Sequence, residues 1–352
     1  MNRVWIELFS ESIGKNGAKI KKASGKSIYA VVKNDGYGMG CKNVARALRG
    51  IADGFCIGEV AEGIALREAG FSENILILGY TSPRLEGLVR EYGLTQAVFS
   101  ADYANALIRQ GGGKIRVAIC CNSGMNRLGF DSFEDLLPFA TSPRFSLQSV
   151  FTHFASGDIR GKRGRDMVFY QYERFMNVVR RLKRECSFQV HCQNTATALN
   201  YPGLEGDFIR CGIGLFGVEA SFLPIGLEEV FSLCAKVADC RILKKGEHLS
   251  YGVYRASPLP TVTVACGYGD GYPYALTDKG AVKIGERIYK VKGKVCMNML
   301  CAQGNALPAP LEKAVLFGKG GAQSLQDVAH LSRISPYRIL CGFSRLEKII
   351  ID

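Results

Sequence analysis

The sequence predicts an N-terminal (β/α)₈ barrel over residues 1–230, followed by a mainly β domain over residues 231–352. Three observations carry that prediction. Eight short apolar runs, at 28–32, 54–58, 75–78, 96–99, 115–120, 147–152, 188–192 and 207–210, alternate with helical stretches. Alternating β and α units imply a parallel sheet, and eight of them close a barrel. A doubly wound sheet needs fewer strands and a G-x-G-x-x-G after the first, which is absent. Beyond about residue 230 the texture changes to short β runs punctuated by glycine, with no long helical periodicity between them.

Composition bounds the rest. A chain of 352 residues, 47% hydrophobic and 22% charged, suits about two globular domains with ample core. No run of about 18 uninterrupted apolar residues marks a membrane span, and the start, Met1-Asn2-Arg3-Val4-Trp5-Ile6, lacks the apolar stretch of a signal peptide. The thirteen cysteines are scattered without a C-x-x-C pair, often inside apolar runs. They read as small buried hydrophobes in a reducing cytoplasm, not as disulfides or metal ligands. The formal charge of +13 raises nucleic acid as a partner, but the basic residues are dispersed. The densest cluster, Arg180-Arg181-Leu182-Lys183-Arg184, ends a helix, where cations suit the macrodipole. A solvated basic face is the better account, and no nucleic-acid or membrane partner is expected.

In chain order, Ile28-Tyr29-Ala30-Val31-Val32 reads as a strand buried on both faces, ending on Lys33 and a glycine-rich turn. The helix begun at Val60 stops at Gly70, a good C′ residue. The clearest helix, 166–184, carries Val168, Tyr172, Phe175, Val179 and Leu182 along one face. In the second domain, the runs from Val237, Thr261 and Arg287 read as strands.

A barrel places its chemistry at the C-terminal ends of its strands. Those ends bear Lys33, then Asn122 to Arg127, His153, Asn194 with Thr195, and Arg210 with Gly212 and Ile213. A lysine at the mouth of an apolar strand is partly desolvated, which lowers its pKa and frees the amine to attack a carbonyl. Asn194 and Thr195 open a helical stretch suited to a phosphate, and Gly212 lets backbone approach it closely. Lysine, phosphate site and a stackable His153 between them are what pyridoxal phosphate requires. Each residue also has a bland reading: Asn194 as a helix cap, His153 as a satisfied core histidine, Lys33 as a strand-end lysine in water.

Ordered motifs in both domains carry a resemblance: AVVKNDGYGMG (30–40), NSGMNRLGF (122–130), THFASGD (152–158), HCQNTATAL (191–199), RCGIGLFG (210–217), LSYG (249–252), CGYGDGYP (266–273) and GKVCMN (293–298). Over nearly its whole length the chain resembles alanine racemases. The resemblance implies interconversion of L- and D-alanine by two bases, supplying D-alanine for peptidoglycan. It also implies that Lys33 carries pyridoxal 5′-phosphate covalently. Tyr37, Tyr337, Asn194, Thr195, Gly212 and Ile213 would hold the phosphate, His153 would pack on the ring, and Arg210, braced by His191, would face the pyridine nitrogen. Arg127 would meet the substrate carboxylate. Tyr251 would be the second base and, with Tyr268 and Met297, would come from the partner subunit of a homodimer. Cys120 stands where many relatives have a lysine, and Asn122 and Asn298 where aspartates are common; these departures bear on substrate affinity. A serine or broad-specificity racemase is the alternative within that fold. A barrel-type decarboxylase, with an acidic residue expected at position 210, and a non-catalytic cofactor-binding protein follow behind it.

Overall fold

The computed structural model describes residues 2–252, 257–309 and 311–352. The first strand, β1 (Val4–Phe9), leads into the helix Ser10–Ser24 and then into eight parallel strands. These are β2 (Ser27–Val31), β3 (Gly54–Ile57), β4 (Asn74–Ile77), β5 (Thr95–Val98), β6 (Ile115–Cys120), β7 (Phe145–Phe151), β8 (Gln189–His191) and β9 (Phe208–Cys211). Their order is β8-β7-β6-β5-β4-β3-β2-β9. The ring closes between β8 and β9 through backbone bonds from Asp207 N–H to Val190 O (2.7 Å) and from Arg210 N–H to Gln193 O (3.0 Å). Each apolar run expected as a strand therefore forms one, with ends shifted by one or two residues. β3 and β5 are buried at every position, as strands covered on both faces must be.

The longest helix spans Lys162–Leu182, starting four residues earlier than the periodicity suggests. The reason is Gly164, where a Cβ would lie 2.0 Å from Ile159 O, so only glycine lets the first turn fold back on the preceding loop. Val168, Tyr172, Phe175, Val179 and Leu182 are buried against the barrel as their spacing requires. Gly70 follows the helix Val60–Glu68 at φ 83°, in the left-handed conformation that suits a C′ glycine.

The second sheet is built from β10 (Phe231–Ile242), β11 (Pro260–Val264), β12 (Ala281–Ile284), β13 (Arg287–Val291), β14 (Leu300–Gln303), β15 (Lys313–Gly318) and β16 (Glu347–Ile351). Its order is β11-β14-β13-β12-β15-β10-β1-β16. Residues 4–9 lie in the stretch expected to be barrel, yet they pair antiparallel with β10 and parallel with β16. Val4, Trp5, Ile6 and Leu8 are buried there. Nothing local in a six-residue apolar run states which distant strands it joins, since pairing is decided by the partners. Two helices, Leu325–Ser332 and Pro336–Cys341, precede β16, and the second lies against the turn after Lys33. A Cβ on Gly38 would come within 2.4 Å of Leu340 O.

Candidate active site

At the C-terminal ends of the barrel strands lies a cavity of about 950 Å³. Lys33, Tyr37, Arg127, His153, Asn194, Thr195, Arg210, Gly212, Ile213 and Tyr337 all line it. The first nine come from five strand ends of the barrel, and Tyr337 comes from the helix before β16.

Lys33 is presented by an unusual piece of backbone. Asn34, Asp35, Gly36 and Tyr37 follow it with φ of 53°, 52°, 61° and 55°, one left-handed turn made largely of residues with side chains. Left-handed helical geometry costs about 1–2 kcal/mol per L-residue, so other bonds must hold it. Gly36 N–H donates to Val32 O (2.8 Å) and Gly38 N–H to Asn34 O (2.9 Å). Glu62 accepts from Asp35 N–H (2.9 Å) and Gly58 N–H (2.7 Å), tying the turn to the end of β3. The turn sends the Tyr37 ring back beneath the cavity, 5.0 Å from Phe216 and 5.8 Å from Tyr337. Tyr37 is buried, and its phenol has no hydrogen-bond partner among the described residues. A Cβ on Gly212 would lie 2.6 Å from that phenol oxygen. Burial, and then the positive charge of Arg127, lower the Lys33 pKa and favour a neutral amine.

Arg210 is almost fully buried, and its guanidinium spends both terminal nitrogens on protein acceptors. Nη1 lies 2.5 Å from His191 Nδ1 and donates to His191 O at 3.2 Å. Nη2 donates to Thr152 O at 2.7 Å and lies 3.2 Å from His153 Nδ1. A guanidinium can only donate, so both imidazoles must accept through Nδ1 and stay neutral. Ser149 Oγ, 3.0 Å from His191 Nε2, takes the remaining proton of that ring. Burial, followed by the charge of Arg210, drives the His191 pKa well down, and the same causes, with Arg127 and Lys33, bring His153 to about 3. Phe151 and Phe208 sandwich the His191 ring at 4.9 and 4.2 Å. The Nε of Arg210 has no protein partner among the described residues, which leaves one N–H for whatever occupies the cavity.

Asn194 caps the helix Thr195–Asn200, its Oδ1 accepting from Thr197 N–H at 3.0 Å while its Nδ2 donates to Phe154 O at 3.3 Å. The cap reading of that side chain is thus present alongside its place at the cavity wall. Thr195 Oγ1 accepts from Gly212 N–H at 3.1 Å and so locks β9 to the helix start. Arg127 is exposed at the mouth and makes no hydrogen bond or ion pair among the described residues. Cys120 lines the cavity beside it, its thiol pushed up to about 12 by burial.

Tyr251, Tyr268 and Met297 do not line this cavity. They are 69%, 45% and 58% exposed on the second domain. The segment 294–297 ties them into one surface: Ser250 Oγ donates to Lys294 O (2.7 Å), Tyr268 N–H to Cys296 O (3.0 Å), and Gly269 N–H to Met297 O (2.8 Å). The sequence reading missed the network beneath His153. There Thr152 Oγ1 pairs with Ser123 Oγ at 2.7 Å, and Gln171 Nε2 reaches His153 O at 3.2 Å. A glutamine on the apolar face of the long helix was the available signal, because a buried amide demands partners.

Comparison with known proteins bears on this geometry. Residues 10–220 match the family model "Alanine racemase, N-terminal domain", and residues 230–350 match "Alanine racemase, C-terminal domain". The chain is 32% identical to the alanine racemase of Desulforamulus reducens, covering 99% of both chains. It superposes on the alanine racemase structure from Bacillus anthracis with bound L-Ala-P at a TM-score of 0.91 and 30% identity, covering 100% and 96% of the two chains. It is also similar to a histidine racemase from Leuconostoc mesenteroides, with a TM-score of 0.90, 29% identity and 100% and 98% coverage.

Proposed function

The chain belongs to the alanine racemase family, and on that premise we propose that it interconverts L- and D-alanine with pyridoxal 5′-phosphate held covalently by Lys33. The cofactor fits the residues present. Lys33 offers an amine, Tyr37 an unpartnered phenol at the end closed by Gly212, and Arg210 one unspent N–H inside the cavity. Tyr37, Thr195, Gly212, Ile213, Tyr337 and the helix opened by Asn194 would hold the phosphate, and His153 would pack on the ring. When bound, the cofactor supplies an electron sink that acidifies the α-proton of an amino acid joined to it.

The remaining work falls to the chain. Lys33, whose amine is made more available by burial, would hold the cofactor and, when freed from it, would move a proton on one face of the substrate. Arg210 is permanently protonated, so its Nε–H would donate to a ring nitrogen of the cofactor and would not yield a proton to it. That would keep the sink weak and favour reprotonation over side reactions. Arg127, charged and uncommitted at the mouth, holds the substrate carboxylate. A racemase needs a second proton carrier on the opposite face, and the cavity wall of one protomer supplies no tyrosine for it beyond Tyr37 and Tyr337 among the described residues. Tyr251, exposed beside Tyr268 and Met297, fills that role from the partner subunit of a homodimer. An exposed cluster of two tyrosines and a methionine on one face is what a subunit contact would cover.

Eight of the thirteen cysteines are buried, in keeping with small apolar core residues. Among the described residues no helix is long and apolar enough to cross a membrane. We place the enzyme in the cytoplasm, supplying D-alanine for peptidoglycan. A broader amino-acid range is the second reading, favoured by the likeness to a histidine racemase.

The single observation that carries the proposal is the convergence of Lys33, Arg127, His153 and Arg210 on one cavity. The test mixes purified protein with pyridoxal phosphate and reads the visible absorption band, then follows L-alanine, serine and histidine by chiral chromatography. A band lost in Lys33→Ala, with fastest racemisation of alanine, is expected. No band, or a band without racemisation, refutes it.

A further inference from the structure

The loop that carries Arg127 is tied by no ion pair among the described residues. Its guanidinium is unpaired among the described residues, yet the loop has a defined shape whose source is one side chain. Asn122 Oδ1 accepts from Gly124 N–H (3.1 Å) and Asn126 N–H (3.0 Å). Its Nδ2 donates to Asn126 Oδ1 (2.9 Å) and to Asp131 Oδ1 (2.7 Å). The amide orientation is forced, because backbone N–H groups only donate and a carboxylate only accepts. Asn126 sits at φ 57°, a conformation asparagine tolerates, and its own side chain is secured by the same Nδ2. Backbone bonds from Asn122 N–H to Phe130 O (2.9 Å) and from Phe130 N–H to Cys120 O (2.9 Å) close the base of the loop.

We propose that Asn122 is a positioning residue: by joining both limbs of the 122–131 loop it fixes where Arg127 stands before substrate arrives. This rests on the reading that Arg127 binds the substrate carboxylate. The position demands an amide specifically. An aspartate could still accept the two backbone N–H groups, but it would set a second carboxylate against Asp131 and remove both donated bonds. Like charges at such a separation repel, and the loop limbs would part. Ordering Arg127 would then be charged to substrate binding, which raises KM without touching the chemical step.

The test compares holoenzyme of the parent, Asn122→Asp, Asp131→Asn and the double variant Asn122→Asp/Asp131→Asn. It reads KM and kcat for L-alanine, the cofactor absorption band, and amide hydrogen exchange over residues 121–131. Asn122→Asp is expected to raise KM about tenfold, equivalent to about 1.4 kcal/mol, with kcat and the absorption band unchanged and exchange at Gly124 and Asn126 faster. In the double variant the new amide at position 131 donates to the new carboxylate, so KM and exchange return toward the parent. An unchanged KM in Asn122→Asp, a kcat loss in place of a KM rise, or a double variant no better than the single one overturns the proposal. A parent that binds the cofactor but turns over no alanine would defeat the functional reading instead. Exchange alone then decides the loop, and equal protection in parent and Asn122→Asp overturns Asn122 as its organiser.

Discussion

His191→Phe should trade stability at neutral pH for stability in acid. His191 is fully buried, accepts from Arg210 Nη1 at 2.5 Å and donates to Ser149 Oγ at 3.0 Å. Phenylalanine can take the same slot between Phe151 and Phe208, so little packing is lost; the polar bonds are. Hydrogen bonds to charged groups are worth about 1.5–3 kcal/mol, and Arg210 Nη1 keeps only its weaker bond to the residue 191 carbonyl. Above about pH 7.5, where imidazole is neutral in folded and unfolded chains alike, the variant should be about 2 kcal/mol less stable. Below that the balance reverses. The folded pKa of His191 is depressed by burial and then by Arg210, so the unfolded chain binds a proton that the folded chain refuses. The parent thus loses about 1.4 kcal/mol for each pH unit below about 6.5 on account of this residue. His153, brought to about 3 by the same two causes with Arg127 and Lys33, adds a like slope to parent and variant equally. The two stability curves should cross near about pH 5, where 2 kcal/mol has been consumed at that slope. Urea unfolding at fixed protein concentration, from mildly alkaline to mildly acidic buffer, measures this. Parallel curves across the whole range would refute the account of a neutral, doubly bonded His191.

Two further outcomes follow, the first from the proposed homodimer with shared sites and the second from the close approach at Gly212. Lys33→Ala and Tyr251→Phe proteins, each inactive, should regain activity when their subunits are exchanged, because one site of the mixed dimer then holds both intact residues; proven exchange without rescue would refute shared sites. Gly212→Ala should weaken pyridoxal phosphate binding about tenfold or more, since its Cβ would lie 2.6 Å from the Tyr37 oxygen and push that ring from its place; a fluorescence titration indistinguishable from the parent would refute the close approach at Gly212.

Most of the barrel could be read from the chain because its strands are continuous apolar runs and its helices have one wet face, as at 168–182. Eight of the ten cavity residues were legible for a related reason: they follow those runs, so finding a strand end finds the site, whereas Tyr37 and Tyr337 could be named only through resemblance. The left-handed turn after Lys33 was not legible, because Asn34 and Asp35 tolerate that conformation without requiring it. Gln171 and Thr152 were passed over since neither interrupts the apolar period around it. The loop organised by Asn122 depends on which amide meets which carboxylate nine residues on, a matter of geometry that residue types alone leave open. Tyr251, Tyr268 and Met297 could be named only through resemblance, being scattered along the second domain and far from any barrel strand.

The placement of β1 bears on how the molecule comes into being. Trp5 pairs with Glu347 and Cys234, so β1 leaves the ribosome long before either of its neighbours. At about 5–20 residues per second of synthesis, the barrel strands are complete while β1 still lacks both neighbours. Its apolar residues stay exposed meanwhile, a natural client surface for a chaperone. Residues 231–352 made alone would face the mirror-image problem. With β1 missing, β10 has a bare edge and β16 has no neighbour, and unpaired edges recruit one another into aggregates. A fragment meant to hold the second sheet should therefore carry residues 2–9 as well, fused beyond β16 or supplied as a peptide.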